Sequence, residues 1–279
     1  MRWLCCALGL VLAVAVLAVA EGWGSGAPKL SEGSRQVAYP AGLGPHVSSS
    51  VRVSNRLAAA PARCAPQTAA VGSNRTAYAG LVTQTAVIRR APSGRAGVVT
   101  RLGRLDVNGL PQVVGVIGVH TSSNCTTDWY RVQLAVVPNG TAGWVRAWAL
   151  RTYRVRSRIV VDLSQRRLRL YRSGTLALQT PVAVGASATP TPSGRYFVNE
   201  RYELPDARGP FGPAALGISA HSDVLQHVWV EDGPIGIHGT NEPWSIGRAA
   251  SHGCIRVANS VMRRLFRLAP AGTPIVVTA

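Results

Sequence analysis

At 279 residues the chain has room for two modest domains plus tails, and its formal charge of +18 with a sequence pI of about 11.3 favours polyanionic surroundings. Lys29 is the only lysine among 30 basic residues, so the charge is almost all arginine. Those arginines are scattered (Arg89, Arg90, Arg95, Arg101, Arg104), pave no helix and accompany no nucleic-acid motif, which argues against a nucleic-acid partner and for retention on an anionic cell-envelope surface.

The first 20 residues read as a signal peptide. Met1-Arg2 is a short positive region, Leu4 to Ala20 is uncharged and apolar, and Ala18-Val19-Ala20 suits cleavage before Glu21. The alternative is an uncleaved membrane anchor, since the run is near the lower limit for spanning a bilayer. Either way the protein is expected outside the cytoplasm, in the cell wall or a periplasm-like space. Cys5 and Cys6 precede the apolar run, so they do not form a lipoprotein attachment site. Cleavage leaves Cys64, Cys125 and Cys254, and an odd number predicts one free thiol. Sequence does not establish pairing; Cys64 with Cys125 is the candidate disulfide, allowed by an oxidising compartment. Residues 21–75 are rich in Gly, Ala, Ser and Pro and read as a flexible spacer.

Residues 76–154 read as short strands. Ala86 to Arg90 ends at the turn Ala91-Pro92-Ser93-Gly94, Val113 to Val119 is β-rich, and Trp129 to Leu134 alternates. Pro138-Asn139-Gly140-Thr141 carries the Asn-Gly hairpin signal. With Asp-Trp-Tyr-Arg-Val in the middle and Gly-Thr-Ala-Gly-Trp-Val after it, this stretch resembles a bacterial SH3-like domain, a class that often binds cell-wall peptides. Trp129, Trp144 and Trp148 are expected to be mostly core.

Residues 156–279 form the next unit. Ile159, Val161 and Leu163 alternate with polar or outward positions, Arg167 to Tyr171 returns, and Leu176 to Val184 is a third β stretch. Short turns between them fit a sandwich better than parallel β-α-β units. Asp206 to Gly217 is Gly/Pro-rich, with no element of its own expected. One helix follows Cys254, capped by Asn259 or Ser260, with Val261, Met262, Leu265, Phe266 and Leu268 as its apolar stripe. Pro274 to Val277 makes a last strand.

The chemistry concentrates between Gly236 and Val257. His238 and Cys254 are separated by a loop long enough to bring imidazole against thiol. Sulfur attacks as thiolate, and a neighbouring imidazole can take its proton or hold the pair as thiolate and imidazolium. Gly253 allows close backbone approach, and peptide N–H groups around Cys254 can face a developing oxyanion. Two plainer readings stand beside this one. Cys254 can be a buried thiol, and His238, His252 and Cys254 are zinc-ligand types, although no compact C-x-x-C pair completes a site.

Ile-His-Gly-Thr at 237–240, a spacer, and Ser-His-Gly-Cys-Ile-Arg-Val at 251–257 resemble the signature of the L,D-transpeptidases of YkuD type. The likeness extends to Val-Asp-Leu-Ser at 161–164, Thr-Pro-Ser-Gly at 191–194 and the terminal Gly-Thr-Pro-Ile-Val. The two resemblances together imply a mostly β protein, an SH3-like small barrel followed by a YkuD-type β-sandwich with one or two short helices. The transpeptidase likeness carries the chemistry. It implies a two-step acyl transfer through a Cys254 thioester that cross-links peptidoglycan tetrapeptide stems and releases D-alanine, without metal or other cofactor. His238 is then the base and the Gly239 carbonyl its orienting partner. Ser251, His252 and Gly253 support the loop and the oxyanion. Arg256, Trp244 and Tyr202 are the candidate substrate contacts, and Arg201 to Val224 the lid over the cysteine. Carbapenem-type β-lactams are the expected covalent inhibitors. The alternatives are a wall-binding protein with an inactive domain of this type, and a same-fold enzyme that hydrolyses or attaches protein to peptidoglycan.

Overall fold

The structure is a computed structural model that describes residues 64–225 and 233–279. The signal-peptide reading, most of the spacer, and Trp229 and Val230 lie outside the described residues.

Eight strands make the first sheet: β1 (Gln67–Ala70), β2 (Ala77–Val82), β3 (Ala86–Arg89), β4 (Val98–Leu102), β5 (Val113–Thr121), β6 (Thr127–Gln133), β7 (Ala142–Arg146) and β8 (Leu150–Val155). Their order is β4-β3-β7-β6-β5-β2-β8, with β1 paired to β5. Alternation drives the assembly, because every second residue of a strand faces the same side. Ile88, Val114, Val116, Val132 and Val145 are buried together at the centre. Trp129 and Trp144 join the buried set, whereas Trp148, in the short turn before β8, is 62% exposed and not core.

The end of the expected spacer is structured. Residues 67–70 pair antiparallel with His120 and its neighbours on β5, and Cys64 is disulfide-bonded to Cys125. Pro138 to Thr141 forms the turn of the β6–β7 hairpin, at the end of a longer connection. The loop runs from 134 to 141 and its turn is closed by Thr141 N–H donating to Pro138 O at 3.2 Å.

The second unit contains β9 (Ser157–Asp162), β10 (Arg167–Arg172), β11 (Thr175–Pro181), β12 (Val184–Gly185), β13 (Gly194–Glu203), β14 (Ala214–His221), β15 (Pro234–His238), β16 (Ala249–Ser251), β17 (Ile255–Arg256), helix α1 (Asn259–Leu268) and β18 (Pro274–Thr278). Eight of these strands follow the order β11-β10-β9-β18-β13-β14-β15-β17, and β12 pairs with β16. The path closes round one core, with Leu168 and Leu170 from one half, Leu216 and Ile237 from the other, and Met262, Leu265 and Phe266 from α1. Arg263, Arg264 and Arg267 face water, so α1 is amphipathic as its spacing requires.

Three expectations change here. The third β stretch breaks after Pro181 and resumes as the short β12. The Gly/Pro-rich segment ends at Pro213, because Ala214 to Gly217 already pair with β13. Neither Asn259 nor Ser260 caps α1, whose N-cap is Ala258 with no side-chain bond. Asn259 instead accepts Thr240 N–H at 2.7 Å and donates to Ala207 O at 3.1 Å, tying two loops to the helix start.

The two units touch through apolar side chains. Val113 and Ala79 from the first, and Phe197 and Ala271 from the second, form a small buried cluster with Val155. Tyr153 O–H donates to Ala271 O at 3.1 Å across the same seam.

Candidate active site

The pairing of β15 with β17 brings the two halves of the motif together. The strands run parallel, with Ile237 opposite Ile255 and His238 opposite Arg256. Ile237 and Ile255 are fully buried in the core. Side chains alternate along a strand, so His238 and Arg256 face the other way, and Cys254, one residue before β17, shares their face. All three line one cavity of about 170 Å³. Pro210, Phe211, Leu225, Gly233, Pro234 and Glu242 line it too, with Ser251 and His252 from the motif.

His238 is buried, and its Nδ1 lies 2.6 Å from the Gly239 carbonyl oxygen. A carbonyl only accepts, so Nδ1 carries the proton and the neutral ring presents a bare Nε2. Burial pushes the imidazole pKa down to about 4, against an upward pull from the Gly239 carbonyl and with a further downward push from the Arg256 charge. The Phe211 ring meets the imidazole edge-on, with centroids 4.9 Å apart.

Cys254 is a free thiol, half-buried. Burial raises its pKa, opposed by a backbone hydrogen bond from Gly236 and by the Arg256 charge. Near neutral pH the site therefore rests as thiol and neutral imidazole, and a thiolate forms when the proton is taken.

The turn before Cys254 is braced from within and from outside. Ser251 Oγ donates to Cys254 O at 2.5 Å and accepts Gly253 N–H at 3.2 Å. Thr191, buried in the Thr-Pro-Ser-Gly loop, donates to Gly253 O at 2.7 Å and accepts Gly185 N–H at 2.9 Å. Gly253 has φ +113°, and a Cβ there would lie 2.7 Å from Ile235 Cδ1, so no other residue fits this position without strain.

Arg256 is 8% exposed. Its guanidinium Nη1 pairs with Glu242 Oε2, while Nε is buried without a hydrogen-bond partner among the described residues. A buried cation needs such pairing to offset its lost hydration.

The family model of YkuD, the L,D-transpeptidase catalytic domain, matches residues 156–277. The Bacillus subtilis protein named as an L,D-transpeptidase, YkuD, is 35% identical over 125 residues, which is 45% of this chain and 68% of that protein. The chain belongs to the L,D-transpeptidase family. The similarly named YkuD of Bacillus licheniformis is 41% identical over 121 residues, 43% of this chain and 65% of that protein. The chain thus spans about two thirds of the length of these relatives. Among solved structures, the catalytic domain of the Enterococcus faecium L,D-transpeptidase acylated by ertapenem is 27% identical, covering 44% of this chain and 96% of that one, with a TM-score of 0.31.

Within this member of the family, Cys254, His238, Ser251, His252 and Arg256 meet at one cavity, and the Gly239 carbonyl lies on the His238 ring. His252 is exposed; the bonds described above that brace the turn come from Ser251 and Thr191. Gly253 N–H is occupied by Ser251, so its support of the site is conformational. Trp244 does not line the cavity: the short turn Pro243–Ser245 leaves it 58% exposed. Tyr202 does not line it either, because its place on β13 turns the hydroxyl to Glu200, 2.5 Å away. The expected lid from Arg201 to Val224 is mostly the β13–β14 hairpin, and only Pro210 and Phe211 within it reach the cavity.

Sequence reasoning missed Glu242, Phe211, Thr191 and Asn259. Thr191 stood inside a motif already singled out, without a role. Asn259 carries a cap signal that points to the helix start and not to Thr240 and Ala207. Glu242 and Phe211 carry no local signal, since each acts on a partner far along the chain or across a loop.

Proposed function

We propose that the protein is a peptidoglycan L,D-transpeptidase with Cys254 as nucleophile. The observation that carries the reading is His238: its Nδ1 proton is committed to Gly239 O, which leaves Nε2 as a base in the cavity that holds the thiol. Cys254 Sγ attacks the carbonyl of the third residue in a tetrapeptide stem. The S–C bond forms, the thiol proton passes to His238 Nε2, and the C–N bond to the terminal D-alanine breaks as that nitrogen takes the proton. The side-chain amine of a second stem then attacks the thioester. The new C–N bond forms, the C–S bond breaks, and His238 returns the amine's proton to sulfur. Peptide N–H groups around Cys254 face the oxyanion in both steps, and Arg256 receives a stem carboxylate.

The remaining parts of the reading follow from sequence. Residues 1–20 direct export, residues 76–154 form an SH3-like unit that contacts the wall, and 156–279 form the catalytic domain. A carbapenem presents an acyl carbonyl to the same thiol and should acylate it.

Intact-protein mass after incubation with a carbapenem tests the reading, beside Cys254→Ala. One adduct on the wild type and none on the variant is the expected result, followed by D-alanine release and dimer formation from tetrapeptide stems. A folded, reduced wild type that stays unmodified would leave the wall-binding alternative in its place.

A further inference from the structure

The turn between β6 and β7 contains an asparagine that the turn does not need. Gly140 has φ +82°, while Asn139 is not among the residues with positive φ. With Thr141 N–H closing on Pro138 O, this is the type II pattern, in which glycine is required at the third position and the second is open to most residues. A type I′ turn would have needed positive φ at both.

The Asn139 side chain is engaged on the other unit. Its Nδ2 donates to His221 O at 2.8 Å and its Oδ1 accepts His221 N–H at 2.8 Å. Nδ2 also lies 3.3 Å from Asp223 Oδ1. One amide thus satisfies both backbone groups of one residue at the end of β14, as a neighbouring strand would.

From His221 the bonding continues to the cavity. His221 pairs with Pro234, and Ser222 N–H donates to Gly233 O at 2.8 Å. Leu225 N–H donates to Ser222 Oγ at 3.2 Å. Leu225, Gly233 and Pro234 line the same cavity as Cys254 and His238. The first unit that carries Asn139 is itself seated, through Phe197 in the shared apolar cluster and through Gln133 Nε2 donating to Arg195 O at 2.5 Å.

We propose that Asn139 is a positioning residue for the acylation cavity: its amide, anchored on the first sheet, fixes the His221–Leu225 segment, whose Leu225 lines the cavity in which an acyl donor meets Cys254. The first unit then shapes the site as well as whatever it contacts elsewhere. The proposal rests on Cys254 being the acylated residue.

Asn139→Ala and Asn139→Asp test it in the full protein. Aspartate keeps the turn preference and one acceptor, removes the donor to His221 O, and sets a second carboxylate beside Asp223. Hydrogen exchange followed by mass spectrometry should rise in peptides covering 214–225 and 233–238 and stay at wild-type values over β2, β5 and β8. Carbapenem acylation should show KI raised roughly tenfold, about what one net hydrogen bond is worth, with kinact little changed, and Cys254 alkylation by iodoacetamide should not slow. Tyr153→Phe, which cuts a different bond across the seam, should leave exchange in the His221–Leu225 segment unchanged. Wild-type exchange in that segment in both variants overturns the proposal. So does exchange that rises throughout the first unit with a matching fall in Tm, since that is undocking and not positioning. A wild type that no carbapenem acylates defeats the transpeptidase reading alone, because exchange in that segment and iodoacetamide alkylation still decide the role of Asn139.

Discussion

His238 has its ring proton placed by a single acceptor and its charge suppressed by burial. Two consequences follow for pH. The acid limb of the second-order acylation rate should fall near pH 4, where the buried ring gains its proton, and not near the ordinary histidine value of 6.5. Stability is linked to the same group. Its folded pKa lies below the unfolded one, so its contribution is complete above pH 6.5 and is lost as pH falls through about 4. The loss is roughly 3 kcal/mol by the usual conversion. Urea unfolding at pH 7.5 and 4.5 should show a drop in the wild type that His238→Gln lacks in part. At this scale sequence singled out His238 and Cys254 by type and order. It left open whether they rest as an ion pair, because that depends on burial from Phe211 and the core and on the charge of Arg256.

At the scale of elements, β13 carries a second perturbed group. Glu200 is pushed up to about 7, first by burial and then by the Asp106 carboxylate, against hydrogen bonds from Tyr202 and Asn108. Asp106 belongs to the turn before β5, whose Asn108 Nδ2 reaches Glu200 Oε1 at 3.4 Å, so the pair lies across the seam between the units. A raised folded pKa means that stability present at low pH is lost as pH rises through about 7, the reverse of His238. Glu200→Gln should flatten that slope, which lies between pH 4.5 and about 7, and gain on the order of 1 kcal/mol at pH 8, read from urea midpoints. Elements with a strong period were legible: β9 from Ile159 and Val161, β10 from Leu168 and Leu170, and α1 from its apolar stripe. Weak local signals misled, since Asn259 has cap chemistry yet bonds to Thr240 and Ala207, and the 67–70 segment looks like a linker yet finds an edge on β5.

Across the whole molecule, Phe197 is the test of how far the units share stability. It is 2% exposed, and its ring packs against Gly115, where an added Cβ would lie 3.2 Å from the ring. Phe197→Ala should cost about 3–5 kcal/mol, as large-to-small core changes do. If the units unfold together, calorimetry should show one transition in the wild type and separated ones in the variant. Two unchanged transitions in both proteins would mean that the seam contributes little.

Sequence by itself determined the chemical parts. Histidine precedes cysteine, glycine flanks the cysteine, an odd free thiol is left over, and alternating apolar positions specify a β protein with one amphipathic helix. These features are local, so they can be read along the chain. Only the tertiary structure decided which parts meet. The β15–β17 register placed His238, Cys254 and Arg256 on one face, Glu242 came onto Arg256 from a loop, Trp244 and Tyr202 were left outside the cavity, and Asn139 reached His221 from the first sheet. Such contacts join residues distant in the chain, and they depend on strand register and packing that no local propensity encodes.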